Sequence, residues 1–171
     1  MTLREFDIEC GSGNITVNGI STSSIELHSA SGDINATGAF TSIDVETNSG
    51  NAQVTNTSET INKIDANSTS GNITITVPQS LNGFYMEYET VSGSISNDFG
   101  AQTNGSSRNG TATYGNGSTQ IEVETVSGSF HLKQLNKNSL YNQKTCGDYR
   151  RSFICKSMLL SEKYTLFFNR F

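Results

Sequence analysis

Three kinds of side chain in this sequence are equipped for chemistry: two histidines, three cysteines and a regularly spaced set of carboxylates. Catalysis needs reactive groups that converge on one point. His28 falls where equivalent segments carry Glu or Asn, and His131 alternates with apolar Phe130 and Leu132, so both read as outward strand positions in distant parts of the chain. No nucleophile elbow, phosphate loop or metal-ligand pair accompanies them. Gly11-Ser12-Gly13 is a lone Gly-x-Gly with no helix after it, which argues against a dinucleotide site. Cys10, Cys146 and Cys155 are odd in number and share no spacing, so they form neither a disulfide framework nor a zinc pattern. Eight Asn-x-Ser/Thr triplets, among them Asn14, Asn35, Asn67 and Asn109, follow from the abundance of those residues. No cofactor is expected.

The carboxylates are different, because they follow an internal repeat. Ser-Gly recurs with its glycine at Gly13, Gly32, Gly50, Gly71, Gly93 and Gly128, at spacings of 19, 18, 21, 22 and 35. Six residues before each glycine stands an acid: Asp7, Glu26, Asp44, Asp65, Glu87 and Glu122. Four before it, Glu9, Glu46, Glu89 and Glu124 add a second, partial column. A face built this way offers solubility and resists edge pairing. It also offers a surface for cations or a basic partner, and Asp44 and Asp65 are the candidate metal ligands. The Gly-Gly-x-Gly-x-Asp pattern of calcium β-rolls is absent.

The elements that position these acids can be read from the same alignment. Seven and five residues before the glycine, and two and four after it, stand 24 residues, of which 23 are apolar; Asn97 is the exception. Pairs two apart have the strand period. Each unit is therefore a strand, a turn through Ser-Gly and a second strand, with glycine admitting a positive φ at the turn. Asn14, Asp33, Asn51 and Asn72 follow the glycine and suit the same turn. A unit of about twenty residues cannot bury its own apolar face, whereas stacked units share a continuous core. The expected fold is all-β, a short parallel β-solenoid of about six coils of 18–22 residues, with a sandwich of antiparallel hairpins as the rival. The long last spacing places a Gly/Asn/Ser-rich surface loop at residues 100–119.

Composition sets the outer bounds. The chain has 171 residues, 33% hydrophobic, with 16 Gly, 1 Pro and no Trp, which excludes a helical bundle. Its net charge of −5 argues against nucleic acid as a partner. No run of 18 apolar residues exists, so no membrane span is expected. Residues 1–133 hold 4 Lys+Arg and 14 Asp+Glu, whereas 134–171 hold 7 and 2, which marks a boundary near Gln134. The repeat domain is assigned to 1–133. Residues 134–171 read as a basic, poorly structured tail of unrelated character.

Two stretches carry a family likeness: Val77-Pro78 followed by Tyr88-Glu89-Thr90-Val91-Ser92-Gly93, and Tyr114-Gly115-Asn116-Gly117 followed by Ile121-Glu122-Val123-Glu124-Thr125-Val126-Ser127-Gly128. They resemble the bacterial putative-adhesin β-strand-repeat family over about residues 6–133. The resemblance implies a β-solenoid at the cell envelope, commonly held by an N-terminal membrane segment, with some members tied to envelope stress. It supplies no catalytic residues. The implied role is a non-catalytic binding or scaffold module whose partner is a surface protein or glycan. The alternatives are a carbohydrate-active β-helix enzyme and a degenerate gene product. The chain departs from the pattern in having no signal peptide or upstream anchor, as in a truncated copy that would be cytoplasmic if complete. Its tail reads as a readthrough or frameshifted end.

Overall fold

The computed structural model describes residues 3–135, and the expectations for the tail lie outside them. The described residues are all-β. They form twelve strands: β1 (Leu3–Cys10), β2 (Ile15–Ser31), β3 (Ile34–Ser49), β4 (Ala52–Asn56), β5 (Lys63–Ser70), β6 (Ile73–Pro78), β7 (Gly83–Thr90), β8 (Ile95–Asn97), β9 (Gln102–Gly105), β10 (Asn109–Gly115), β11 (Thr119–Thr125) and β12 (Phe130–Leu135). β2 and β3 are long because each serves as the second strand of one unit and the first strand of the next. At the junction within β2, Gly19 adopts φ 71° and takes up a register shift between Asn18 and Ile20.

Strands that precede the glycines stack in one parallel ladder, and strands that follow them stack in another. Aligned residues face each other in register: Phe6, Ile25, Ile43, Ile64, Ile121 and Met86 are successive partners. Of the 24 inward positions, all are buried except Phe6, Ile8, Ile95 and Asn97. Those four lie in the two terminal units of the stack, where a neighbour is present on one side only. Ile25, Leu27, Ile34, Val45, Ile64 and Ile73 are 0% exposed.

The stack departs from a simple solenoid in two ways. First, units do not follow chain order. β11 pairs in parallel with both β5 and β7, and β12 with both β6 and β8. The Gly128 unit is thus wedged between the Gly71 and Gly93 units. Second, residues 100–119 are not a surface loop. β9 and β10 form an antiparallel hairpin, and β10 pairs antiparallel with β7, so the sheet is mixed. The hairpin covers the outer edge of β7. Phe84, Phe99 and Tyr114 pack beneath it with ring centroids 5.2–5.7 Å apart. Asn97 starts this excursion, its Oδ1 accepting hydrogen bonds from the N–H groups of Phe99 (3.1 Å) and Ala101 (3.3 Å). The chain then crosses the start of β7 through Gly115-Asn116-Gly117, where both glycines have positive φ.

The turn glycines also behave differently from a uniform positive-φ series. Gly13, Gly32 and Gly50 have φ of 109°, 135° and 144°, but Gly71, Gly93 and Gly128 do not share that conformation. What five of the six share is proximity. A Cβ on Gly32, Gly50, Gly71, Gly128 or Gly93 would strike the carbonyl oxygen of the glycine in the preceding unit of the stack. The boundary set by charge falls inside β12, which continues pairing to Leu135 opposite Pro78, with Leu135 buried.

Candidate functional site

The outward side chains of the pre-glycine ladder form the candidate site. Alternation along each strand sends the inner columns to the core and every acid of the −6 column outward. Parallel register then lines these acids up as Asp7, Glu26, Asp44, Asp65, Glu122 and Glu87, each the direct partner of the next. The neighbouring column reads Glu9, His28, Glu46, Asn67, Glu124 and Glu89. With Glu5 on β1, eleven of the fourteen acids in residues 1–133 lie on this one face. The outward column of the other ladder is Thr16, Asn35, Gln53, Thr74, His131 and Ser96, with no carboxylate.

Adjacent carboxylates along a ladder are ~5 Å apart, and like charges at that distance in water repel by roughly 1 kcal/mol. Local relief comes from Lys63, whose Nζ lies 2.6 Å from Asp65 Oδ2. Asp65 Oδ1 is buried and accepts no hydrogen bond. Asp44 is held above the ordinary carboxylate range, first by burial and then by repulsion from Asp65, with His28 and Lys63 opposing. The two candidate metal ligands are therefore register partners of unequal character: Asp65 is engaged by a lysine, and Asp44 is the acid whose charge is disfavoured.

At the hairpin end the face becomes concave. Glu87, Glu89, Glu122 and Glu124, with Asn109 and Thr111 of β10, line a depression of about 450 Å³. A second, of about 500 Å³, is bordered by Glu46, Glu89 and Glu124 and by Val91 and Val126. These valines are 62% and 49% exposed, the exposed large hydrophobic residues among those described, and they are stacked neighbours joined through the Ser92 N–H to Val126 C=O bond of 2.9 Å. At the opposite end, the ligand atoms of Asp7, Glu26 and His28 lie within 4.8 Å of one another.

The two histidines sit on opposite ladders. His28 Nδ1 meets Glu46 Oε2 at 3.1 Å, and His131 Nε2 meets Asp98 Oδ1 at 2.8 Å. Hydrogen bonding to His131 holds Asp98 below the ordinary carboxylate range.

Two further columns shape the turns: one is not singled out in the sequence, and the other is read there only as residues suited to a tight turn. Three residues before each glycine stand Cys10, Ser29, Thr47, Ser68, Thr90 and Thr125, an inward series of small polar groups. Ser29, Thr47, Ser68 and Thr125 donate to the carbonyl of the glycine three residues on, at 2.9–3.5 Å. One residue after Gly13, Gly32, Gly50 and Gly71, an asparagine-type ladder locks the units together. Asn14 Oδ1 accepts from Asp33 N–H, Asp33 from Asn51, Asn51 from Asn72 and Asn72 from Ser129, at 2.9–3.2 Å. The last of these bonds skips from Asn72 to Ser129 and so follows the stack order, not the chain order. The signal for the hydroxyl column was the alignment on glycine itself, carried to position −3, whereas the bonding of the +1 residues between units has no signal in a single unit.

Among the described residues no helix is long and apolar enough to cross a membrane. No curated protein matches the chain. A solved structure described as that of a putative cell adhesion protein from Clostridium sporogenes ATCC 15579 is similar in fold. It has a TM-score of 0.57 and 15% identity, over 78% of this chain and 92% of that one. The family model for the Toastrack DUF4097 domain matches residues 1–133, and the chain is a member of that family.

Proposed function

We propose that this domain is a non-catalytic binding or scaffold module displayed at the cell envelope, and that its pre-glycine face is the surface it presents. The observation that carries this reading is the segregation of charge: eleven acids share one face, while the facing column of the other ladder has none. Solubility alone would be served by acids on both faces. Collecting them costs repulsion along every rung, about 1 kcal/mol per adjacent pair before salt screening. A partner bearing Lys or Arg at matching spacing recovers that cost. The contact centres on the hairpin end, where Glu87, Glu89, Glu122 and Glu124 surround a depression and Val91 and Val126 add an apolar anchor. Acid flanking apolar surface suits a basic protein surface better than an acidic glycan, which the same field would repel. The likeness to a structure described as a putative cell adhesion protein supports the envelope location.

The experiment is adherence of cells displaying the domain, compared with cells displaying a variant in which Glu87, Glu89, Glu122 and Glu124 are changed to Gln. Adherence should fall sharply in the variant, and in the wild type it should fall with rising salt. Equal adherence of both, at equal display, would remove the face from the function.

A further inference from the structure

The end of the acidic face remote from the hairpin differs from the rest of it in one respect: it contains an imidazole. Every other position of the −4 column carries Glu or Asn, and His28 is the exception. Asp7 on β1 and Glu26 on β2 are register partners, and His28 is two residues beyond Glu26 on the same side of β2. The three ligand atoms all lie within 4.8 Å of one another. Asp7, His28, Glu46 and Glu9 border an open depression of about 400 Å³, so the group is reachable from solvent.

We propose that Asp7, Glu26 and His28 form a surface site for a first-row transition dication of the zinc type. The donor set is one nitrogen and two carboxylate oxygens, which suits zinc, whereas calcium takes oxygen ligands alone. Two ligands each ~2.1 Å from a tetrahedral zinc are ~3.4 Å apart. Closing from 4.8 Å therefore asks for shifts of about 1 Å in side chains that are free to move. A water molecule completes four-coordination. Glu46 supplies the outer support. Its Oε2 lies 3.1 Å from His28 Nδ1; with Nδ1 donating to that carboxylate, Nε2 is the ring nitrogen that would take the metal. A carboxylate that orients a ligating histidine in this way typically contributes ten- to hundredfold in affinity. The site shares the acidic face with the partner-binding reading above but does not rest on it, since it sits at the end remote from the hairpin and needs no partner.

The test is zinc titration of the full chain by calorimetry, in a background with Cys10, Cys146 and Cys155 changed to Ser so that thiols do not compete. One saturable equivalent is expected. His28→Asn should weaken it at least tenfold and Glu46→Gln by about ten- to hundredfold, while His131→Asn leaves it unchanged. Calcium at the same concentration should not displace the zinc. In the unsubstituted His28 protein, the imidazole resonances of His28 should shift with zinc and those of His131 should not. This second readout stands even if His28→Asn folds poorly. Absence of saturable binding, or unchanged affinity in a folded His28→Asn protein, would overturn the proposal and leave His28–Glu46 as an ordinary ion pair.

Discussion

Gly71→Ala should be among the most damaging single-methyl additions to this protein. An added Cβ would strike the carbonyl oxygen of Gly50 and would lie 2.8 Å from its carbonyl carbon and 3.3 Å from its nitrogen, where ordinary contact begins near 3.4 Å. The obstacle is backbone, so no rotamer change relieves it. The Gly71 turn must lift away from the Gly50 turn, and two backbone N–H donors tie those turns together: Ala52 N–H to Asn72 C=O at 2.9 Å and Asn72 N–H to Asn51 Oδ1 at 3.2 Å. Losing both costs about 2 kcal/mol, and overpacking in a close-packed stack adds about 1–3 kcal/mol. The expected loss is therefore about 3–5 kcal/mol, or a fall in Tm of roughly 10–20 °C for a domain of this size. Gly11→Ala is the control. It lies just outside the ladder, its Cβ would meet nothing within 4 Å, and it should change stability by less than about 0.5 kcal/mol. Urea denaturation followed by far-ultraviolet circular dichroism measures both. If the two variants unfold at the same midpoint, close approach of the turns is not what demands glycine at these positions.

Three further outcomes follow from the geometry. Asn56→Ala should cost about 2–3 kcal/mol in urea denaturation, because the fully buried Asn56 amide bonds both the N–H (2.9 Å) and the C=O (2.8 Å) of Phe40, and its loss strands both groups. The wedged unit can be tested by disulfide trapping after the native cysteines are changed to Ser. Cysteines replacing Asn67 and Glu124, direct register partners, should cross-link under mild oxidation. Cysteines replacing Asn67 and Glu89, separated by β11, should not; the reverse pattern would restore chain-order stacking. Asp44 and Asp98 should pull the pH profile of stability in opposite directions. Asp44 has a raised pKa in the folded state, so it favours folding while protonated and opposes it as pH rises through that value. Asp44→Asn should therefore raise Tm at pH 7 and lose that advantage in acid, where the native carboxyl is itself protonated. Asp98 has a lowered pKa, so its contribution is present above the ordinary carboxylate value and fades as pH falls through the folded one. Asp98→Asn should flatten the acid limb of the Tm profile.

The strand content and the inward columns were legible because burial in a strand leaves a period of two, and the Ser-Gly anchor fixes its phase. The acidic column was legible for the same reason. The stack order was not. All six units carry the same columns, so nothing local in Ile121–Leu132 distinguishes a place after the Gly93 unit from a place before it. The decision rests on long-range fit: β11 fills both edges between β5 and β7, and the Asn72–Ser129 bond completes the ladder. The hairpin was hidden because β9 and β10 are poor in apolar residues, with Ala112 buried and Tyr114 partly so, and because their strand structure comes from backbone pairing, β10 with β7 and β9 with β10. The Ser-Gly positions are plain in the sequence, but what stands against a side chain at Gly71, Gly93 and Gly128 is the neighbouring unit and not φ, which a single unit cannot reveal. The hydroxyl column at Ser29, Thr47, Ser68, Thr90 and Thr125 sat in the inward phase all along. Its polarity masked it, because the hydrogen bonds that make burial tolerable become visible only in the folded turn.

Gln120 and Gln53 give a matched pair for the role of the acidic face. Both are exposed, Gln120 beside the carboxylate column of β11 and Gln53 on the carboxylate-free ladder. A photo-crosslinking amino acid placed at each position in turn, in the native host cell, reads out which face meets a partner. Position 120 should yield a discrete protein adduct that disappears at high salt and when Glu87 and Glu124 are changed to Gln, and position 53 should yield none. An adduct from position 53 alone, or one from position 120 that survives neutralisation of those glutamates, would contradict a binding role for the acidic face.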